Sequence, residues 1–509
     1  MTRTDRIALL ISILAVLAAF IVTDRVFERM AHIEDEMAYA WQAQAISHGY
    51  LTLPSPPNPK SFLVPFVVDY NGQRFGKYPI GWPVILALGE RLGIPYLINP
   101  ILAGLGVWLT YQLGKRLFGE TVALLAAGLT ATSPFFLLNS GSLLNHPLGL
   151  VLTILFTLSW LDAFHNPGFS PRWLPAVAAG AILGLLALTR PLTAVCVALP
   201  FAIPGLVLLV RGNRETRRNL ILFGVTALAI SLLLFVWQFA VTGNPTLNPY
   251  TLWWSYDKVG FGPGHGHLPG GHTLDQAWIN TRFNIAVGKS DLFGWATYSW
   301  IFLPFGLLAI LRDRNFRSLL PVSIFISLFV IYMAYWIGAW LFGPRYYYEG
   351  LISLTLVTAA GIAFLAGWPT RPGQPFPSYT GIRKAQPLLL TGILALLVTA
   401  NLWFYLPARL QTMYGLYGVS RVHELPFLAS NAQELTPALI VVHTSKQWIE
   451  YGTLIDLETP FLDTPFIFVI SRGLDVDEKV ATHFPDRTVY HYYPADQPFT
   501  FYTAPRWLK

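Results

Sequence analysis

The sequence predicts an all-α polytopic membrane protein with about eleven transmembrane helices and large extracytoplasmic loops, followed by a small extracytoplasmic α/β domain. Three observations lead there: the composition, the recurrence of long apolar runs, and the way the charges are shared between the loops. Of 509 residues, 54% are hydrophobic and only 12% charged, about half the charge of an ordinary globular chain (~25%). That excludes a disordered chain and argues against a single soluble domain. The lone cysteine, Cys196, excludes an intramolecular disulfide and a cysteine-based zinc cluster. Lying in an apolar run, it reads as a small buried or lipid-facing residue.

A helix rises 1.5 Å per residue, so a hydrocarbon core ~30 Å thick needs ~20 apolar residues. Eleven runs approach this: 7–23, 95–114, 121–138, 147–161, 173–188, 192–210, 220–241, 295–311, 319–337, 346–367 and 386–406. The first follows Arg3 and Arg6 as a signal peptide would, but no small-residue cleavage site precedes Thr23-Asp24-Arg25. It reads as a retained helix. The shorter run 79–92 carries Glu90 and Arg91 and reads as an interfacial helix with Trp82 among head groups.

Net charge is +7, but it is unevenly spread. The tail 407–509 holds eight basic and eleven acidic residues, leaving +10 in the first 406. This excess reports orientation in a membrane rather than a nucleic-acid partner. Alternate loops collect Arg3, Arg6, Lys115, Arg116, Arg172, Arg211, Arg214, Arg217, Arg218, Arg312, Arg314, Arg317, Arg371, Arg383 and Lys384 on one side. Short loops dense in Lys and Arg stay cytoplasmic. The N-terminus is therefore expected inside the plasma (inner) membrane and the C-terminus outside. Residues 1–406 then form the transmembrane domain, with outer loops 24–94 and 242–294, and 407–509 the outer tail. In loop 24–94 a helix is expected over 34–48, closed by Gly49, before an irregular Pro-rich stretch at 54–59. In the tail, 438–443 and 465–471 read as strands between helix-like runs. The Gly- and Pro-rich stretch 260–271 reads as a mobile or ligand-ordered loop.

Large loops on one face place the work at the outer interface. The densest acidic cluster there is Glu34-Asp35-Glu36. Three carboxylates at a helix start complement the helix dipole without any further purpose. Two features favour a functional reading: Ala38, Tyr39 and Gln42 share the face of Asp35, and an unpaired carboxylate at a membrane rim is costly.

The order of motifs carries a resemblance. A first span, an outer loop opening on an acidic pair, then "RFGKYPIGWP", "SPFF" and "TRP" resembles the polyprenyl-phosphate-sugar-dependent glycosyltransferases of the GT-C class. Protein O-mannosyltransferases and the bacterial transferase that places aminoarabinose on lipid A are members of that class. The likeness spans roughly the first 370 residues. It implies a GT-C-like fold and transfer of a sugar from a polyprenyl-phosphate donor to a hydroxyl of a lipid, glycan or protein acceptor, with no nucleic acid involved. It maps the acidic pair onto Asp35 and Glu36, Asp35 as general base, and the lysine of the first loop onto Lys77. Lys77 stands one residue away from the commoner Lys-Pro-Pro form. Where many relatives have Asp after "SPFF", this chain reads Leu143-Leu144-Asn145-His146-Pro147. His146 holds the acceptor, takes a second proton, or caps the following helix; Asn145 is a plausible N-cap.

The chemistry is coherent without the family. A carboxylate beside the acceptor takes the proton as the new bond forms, and a fixed cation stabilises the departing phosphate. Lys77, Arg190 in "LTRPL" and Arg345 in "FGPRYYYE" are expected at outer helix ends or in outer loops. Snorkelling competes as an explanation for each, and for Arg345 so does an ion pair with Glu349. Tyr346–Tyr348, Trp253-Trp254, Trp295 and Trp300 read first as interfacial belt residues and second as sugar-stacking rings. No cofactor is demanded by the sequence. A divalent cation held by His265, His267 and His272 is the one candidate, set against solvated imidazoles in a Gly-rich loop. Two rival readings are a transporter or flippase of a lipid-linked saccharide, with broken helices at the midplane, and a non-catalytic membrane protein on the same fold. No Walker A loop or Rossmann fingerprint is present.

Overall fold

The computed structural model describes residues 1–165, 172–378, 385–444, 448–496 and 500–506. Arg383 and Lys384, assigned above to a cytoplasmic loop, lie outside the described residues. Among the described residues six helices are long and apolar enough to cross a membrane: Arg3–Arg25, His146–Phe164, Pro191–Arg211, Arg214–Thr242, Arg345–Ala366 and Ala385–Gln411. Two bent pairs raise the number to eight, and Trp173–Thr189 and Leu319–Tyr332 are shorter apolar helices.

The first helix starts where Thr2 and Asp5 form a capping box. Asp5 also accepts from Lys115 (2.7 Å) and Tyr111 (2.8 Å), clamping the first helix to the last turns of Ile98–Phe118. Two expected single spans are broken instead. Run 121–138 becomes Glu120–Ala131 and Pro134–Gly141, bent by 57°. Ser133 is extended (ψ 121°) because proline follows it, and it caps the second piece by accepting from Phe136 N–H. Run 295–311 is not one helix. Leu274–Asp291 meets Ala296–Arg312 at 103°, with Gly294 and Ala296 both at positive φ and Pro304 opening the regular helix Leu303–Arg312. The span expected over 319–337 stops at Tyr332, after which Tyr335 bridges antiparallel to Val259.

Loop 24–94 carries the predicted helix, Glu34–Ser47. Beyond it, Leu53–Pro54, Gln73–Gly76 and Val67–Tyr70 form an antiparallel sheet with Gln73–Gly76 central. Asn71 and Gly72, both at positive φ, make the tight hairpin turn whose twist matches the strands. Lys77 follows this strand directly, its N–H donating to Phe66 C=O (3.0 Å). In the helix Gly81–Arg91, Trp82 does not sit among head groups. Trp82 is wholly buried and its indole N–H donates to Leu143 C=O (2.9 Å), because a buried indole needs an acceptor that head groups cannot offer there.

In the tail, Phe466–Ile470, Ala438–Val442 and Thr488–Tyr492 form a parallel sheet with Ala438–Val442 central. The third strand was not anticipated from the sequence. Arg421 donates to Glu28 C=O (2.8 Å) and Arg472 to Lys60 C=O (2.7 Å), so the tail rests on loop 24–94. The Gly-rich stretch 260–271 is pinned by a bridge from Gly262 to His272 and by Gly260 N–H donating to Ala334 C=O (2.8 Å).

Candidate active site

A cavity of about 690 Å³ opens between the helix Glu34–Ser47, the strand end at Lys77, the junction at Arg190, the loop around Asp257 and the turn at Arg345. Its wall contains Asp35, Tyr39, Lys77, His146, Arg190, Arg345 and Tyr346, seven of the residues singled out in the sequence.

The helix start sorts its three carboxylates by phase, since successive residues are ~100° apart. Glu34 and Asp35 line the cavity. Glu36 does not. It is buried, accepting from His32 N–H (2.9 Å), Ile33 N–H (3.3 Å) and Leu143 N–H (2.7 Å). This corrects the pairing of Glu36 with Asp35 as catalytic: both Glu36 oxygens are committed to backbone amides that hold the helix start against the turn at Leu143. Burial pushes the Glu36 carboxyl up to about 7 against those three hydrogen bonds. Burial also raises Glu34. For Asp35 burial raises too, but the Arg345 charge, the Tyr78 hydroxyl and the Lys77 charge together hold it below the usual carboxylate value. Its partners are Tyr78 Oη donating to Oδ1 (2.6 Å) and Arg345 Nη2 at 3.3 Å from Oδ2. Tyr39, one turn on, packs on the Tyr78 ring at 4.5 Å.

Arg345 therefore pairs with Asp35 and not with Glu349. The segment Arg345–Gly350 winds as a 3₁₀ turn, in which residues four apart point ~120° away from each other. Glu349 turns to Arg190 instead (3.4 Å) and is wholly buried. Gly149 leaves the space: a Cβ there would stand 2.2 Å from Glu349 Oε1. Arg190 donates further to Tyr332 Oη (3.2 Å), Thr193 Oγ1 (3.1 Å) and the His146 ring. The His146 ring thus stands directly against the Arg190 guanidinium. Asn145 occupies the N-cap position without a side-chain capping bond and faces the cavity. Asn99 Nδ2 fixes this turn by donating to Ser142 C=O (2.6 Å) and Leu144 C=O (2.8 Å).

Lys77 Nζ lies 3.3 Å from Asp257 Oδ2 and 3.6 Å from the Phe66 ring centre, with Trp254, Tyr250 and Tyr78 around it. Burial lowers its proton affinity, opposed by Asp257 and Asp35. Asp257 escaped the sequence reading, as did Tyr78, Tyr250, Tyr335 and Trp336. The signal available was a single carboxylate inside the aromatic run Trp253-Trp254-Ser255-Tyr256-Asp257 of loop 242–294. Trp254 and Tyr346 line the cavity, whereas Tyr348 and Trp295 are buried, so the aromatic runs are not uniformly a membrane belt.

His265, His267 and His272 do not line the cavity and do not converge. The His272 ring stacks on Phe261 (5.1 Å) with Nε2 at 2.8 Å from Met333 C=O, and the His267 ring sits 5.4 Å from Trp336. Among the described residues no three His, Cys, Asp or Glu side chains form a metal-binding group.

The sequence profile described as dolichyl-phosphate-mannose-protein mannosyltransferase matches residues 84–238. That stretch holds His146 and Arg190 but neither Asp35 nor Lys77. Curated protein sequences give no match. Among solved structures, apo ArnT from Cupriavidus metallidurans superposes with TM-score 0.57 at 16% identity, covering 94% of this chain and 88% of that one. The same protein bound to undecaprenyl phosphate gives 0.56 at 17%, covering 95% and 89%. The archaeal oligosaccharyltransferase AglB from Archaeoglobus fulgidus, in complex with an inhibitory peptide and a dolichol-phosphate, gives 0.52 at 13%, covering 95% and 69%. The chain is thus a mostly helical, multi-pass membrane protein of GT-C fold, resembling protein O-mannosyltransferases and ArnT.

Proposed function

We propose that the protein is an integral-membrane glycosyltransferase that moves a sugar from a polyprenyl-phosphate donor to a hydroxyl acceptor on the outer face of the membrane. The observation that carries this is the meeting of Asp35 with Lys77, Arg190 and Arg345 around one cavity. Asp35 takes the acceptor proton as the glycosidic bond forms. The cations stabilise the negative charge that gathers on the departing lipid phosphate. Arg345 links the two events. Its pairing keeps Asp35 ionised in the resting site, and as the guanidinium turns to the leaving phosphate the carboxylate becomes a stronger base. Tyr39, Tyr346 and Trp254 offer faces for the sugar ring, and His146 holds Arg190 in place.

Eleven spans, an N-terminus inside and a tail outside complete this reading, supported by the bias of Lys and Arg among the short loops. The tail covers the first outer loop and brings Tyr417 to the cavity. The two bent helix pairs favour the transporter reading, so the experiment must separate the two. Purified wild type and Asp35→Ala, both stably inserted, are incubated with labelled polyprenyl-phosphate sugars and a hydroxyl acceptor extract. Transfer by wild type and none by the variant supports the proposal. Transfer retained by Asp35→Ala removes Asp35 as the base. Absence of transfer by either, with lipid translocation in vesicles, makes the protein a flippase.

A further inference from the structure

As the proposed contact for the donor phosphate, Lys77 must be reached by the ligand, yet its side chain is only 3% exposed. Five groups enclose its ammonium: the rings of Phe66 (3.6 Å), Trp254 (4.8 Å), Tyr250 (4.9 Å) and Tyr78 (5.4 Å), and the Asp257 carboxylate (3.3 Å). A phosphate oxygen reaches Nζ only when one of them yields. The rings brace each other, Phe66 edge-on to Trp254 at 5.2 Å and Tyr78 edge-on to Tyr250 at 5.4 Å, so moving one forfeits packing as well as its attraction for the cation. Exchanging one anion for another leaves the buried cation compensated throughout. Asp257 also has somewhere to stay. Its Oδ1 accepts from Tyr335 Oη (2.8 Å) and Trp336 Nε1 (3.0 Å), so a carboxylate released by Lys77 is not stranded.

We propose that Asp257 is a substrate-displaced counter-ion: in the resting site it fills the place on Lys77 that the donor phosphate takes, and it reclaims Lys77 as the lipid phosphate departs. No bond is made or broken in this exchange. Asp257 is a positioning residue that trades donor affinity for product release, and the inference rests on the reading of Lys77 as the phosphate contact.

The test uses full-length protein in nanodiscs, with farnesyl phosphate, a C15 isoprenyl monophosphate, as probe. Asp257→Asn and Asp257→Ala should bind it about tenfold more tightly than wild type, with the donor KM and kcat both falling. Unchanged or weaker binding by these variants overturns the exchange. Should neither variant fold, a structure of the wild type with farnesyl phosphate decides. Lys77 parted from Asp257 and contacting phosphate supports the proposal; an intact Lys77–Asp257 pair beside bound phosphate refutes it. Lys77→Gln serves as the separate check. Loss of binding there alongside unaltered Asp257→Asn rejects only the exchange, whereas full binding by Lys77→Gln rejects the phosphate role of Lys77 itself.

Discussion

Replacing Gly149 by alanine sets two effects of opposite sign against each other. Gly149 sits in the helix His146–Phe164, where alanine is intrinsically favoured over glycine by ~1 kcal/mol. The added methyl, however, would stand 2.2 Å from Glu349 Oε1, 3.1 Å from its Cδ and 3.4 Å from its Cγ. Restoring van der Waals distance requires the carboxylate to retreat by ~1 Å. Glu349 is wholly buried and only 3.4 Å from Arg190, so the retreat stretches a buried ion pair. Overpacking of a core costs ~1–3 kcal/mol, and breaking such a pair ~3–5 kcal/mol. Net of the helix gain, sterics win for all but the mildest overpacking, and Gly149→Ala should lose up to ~4 kcal/mol. Because Arg190 is also held by His146, Tyr332 and Thr193, the displacement should reach the cavity and slow sugar transfer at least tenfold. Thermal unfolding in detergent, followed by intrinsic fluorescence, and labelled transfer on the same preparation measure both. The methyl should be tolerated in a Glu349→Ala background, where its obstacle is gone. A Gly149→Ala protein as stable and as active as wild type would refute the argument.

Asp35→Asn should lower kcat by ~10²–10⁴-fold with the donor KM little changed and the melting temperature preserved; a raised KM with kcat unchanged would point to binding instead. Glu36→Gln should do the reverse, because an amide cannot accept from amides on both sides: stability falls by ~1–3 kcal/mol while kcat stays within a fewfold of wild type. The raised Glu36 carboxyl adds a pH signature. Its contribution to stability is complete below the ordinary glutamate value and is lost as pH rises through about 7, so the wild type should lose melting temperature across that window and Glu36→Gln should lose less. Burial lowers the proton affinity of Lys77, so its charge is present below the folded-state value and disappears as pH rises through it. Donor binding should accordingly weaken on the alkaline side below pH 10.5, the ordinary lysine value, and Lys77→Arg should move that limb upward; a limb that stays put assigns it elsewhere.

Much of the site was legible because its charges are expensive where they stand. Asp35, Lys77, Arg190 and Arg345 drew attention as ionised residues beside apolar spans, and all four line one cavity. What failed was partner choice. Asp35 and Glu36 are neighbours in sequence yet point ~100° apart on a helix, and Arg345 and Glu349 diverge because their turn is 3₁₀ rather than α. Asp257 was invisible as a partner for Lys77 because 180 residues separate them. The imidazoles of His265, His267 and His272 looked like a ligand set by spacing alone, yet the His272 ring goes to Phe261 and the His267 ring to Trp336.

Composition, apolar run length and loop charge by themselves determine that this chain is a membrane protein, roughly where its helices lie and which acidic and basic side chains are too costly to be idle. These are one-dimensional properties, because transfer of a helix into hydrocarbon sums over its own residues. Only the tertiary structure decides which carboxylate serves a backbone amide and which faces the cavity, which cation each anion neutralises, and where Pro134 and Gly294 break what looked like continuous spans. Such choices are set by helix phase and by distances between segments remote in sequence, and no local pattern encodes them.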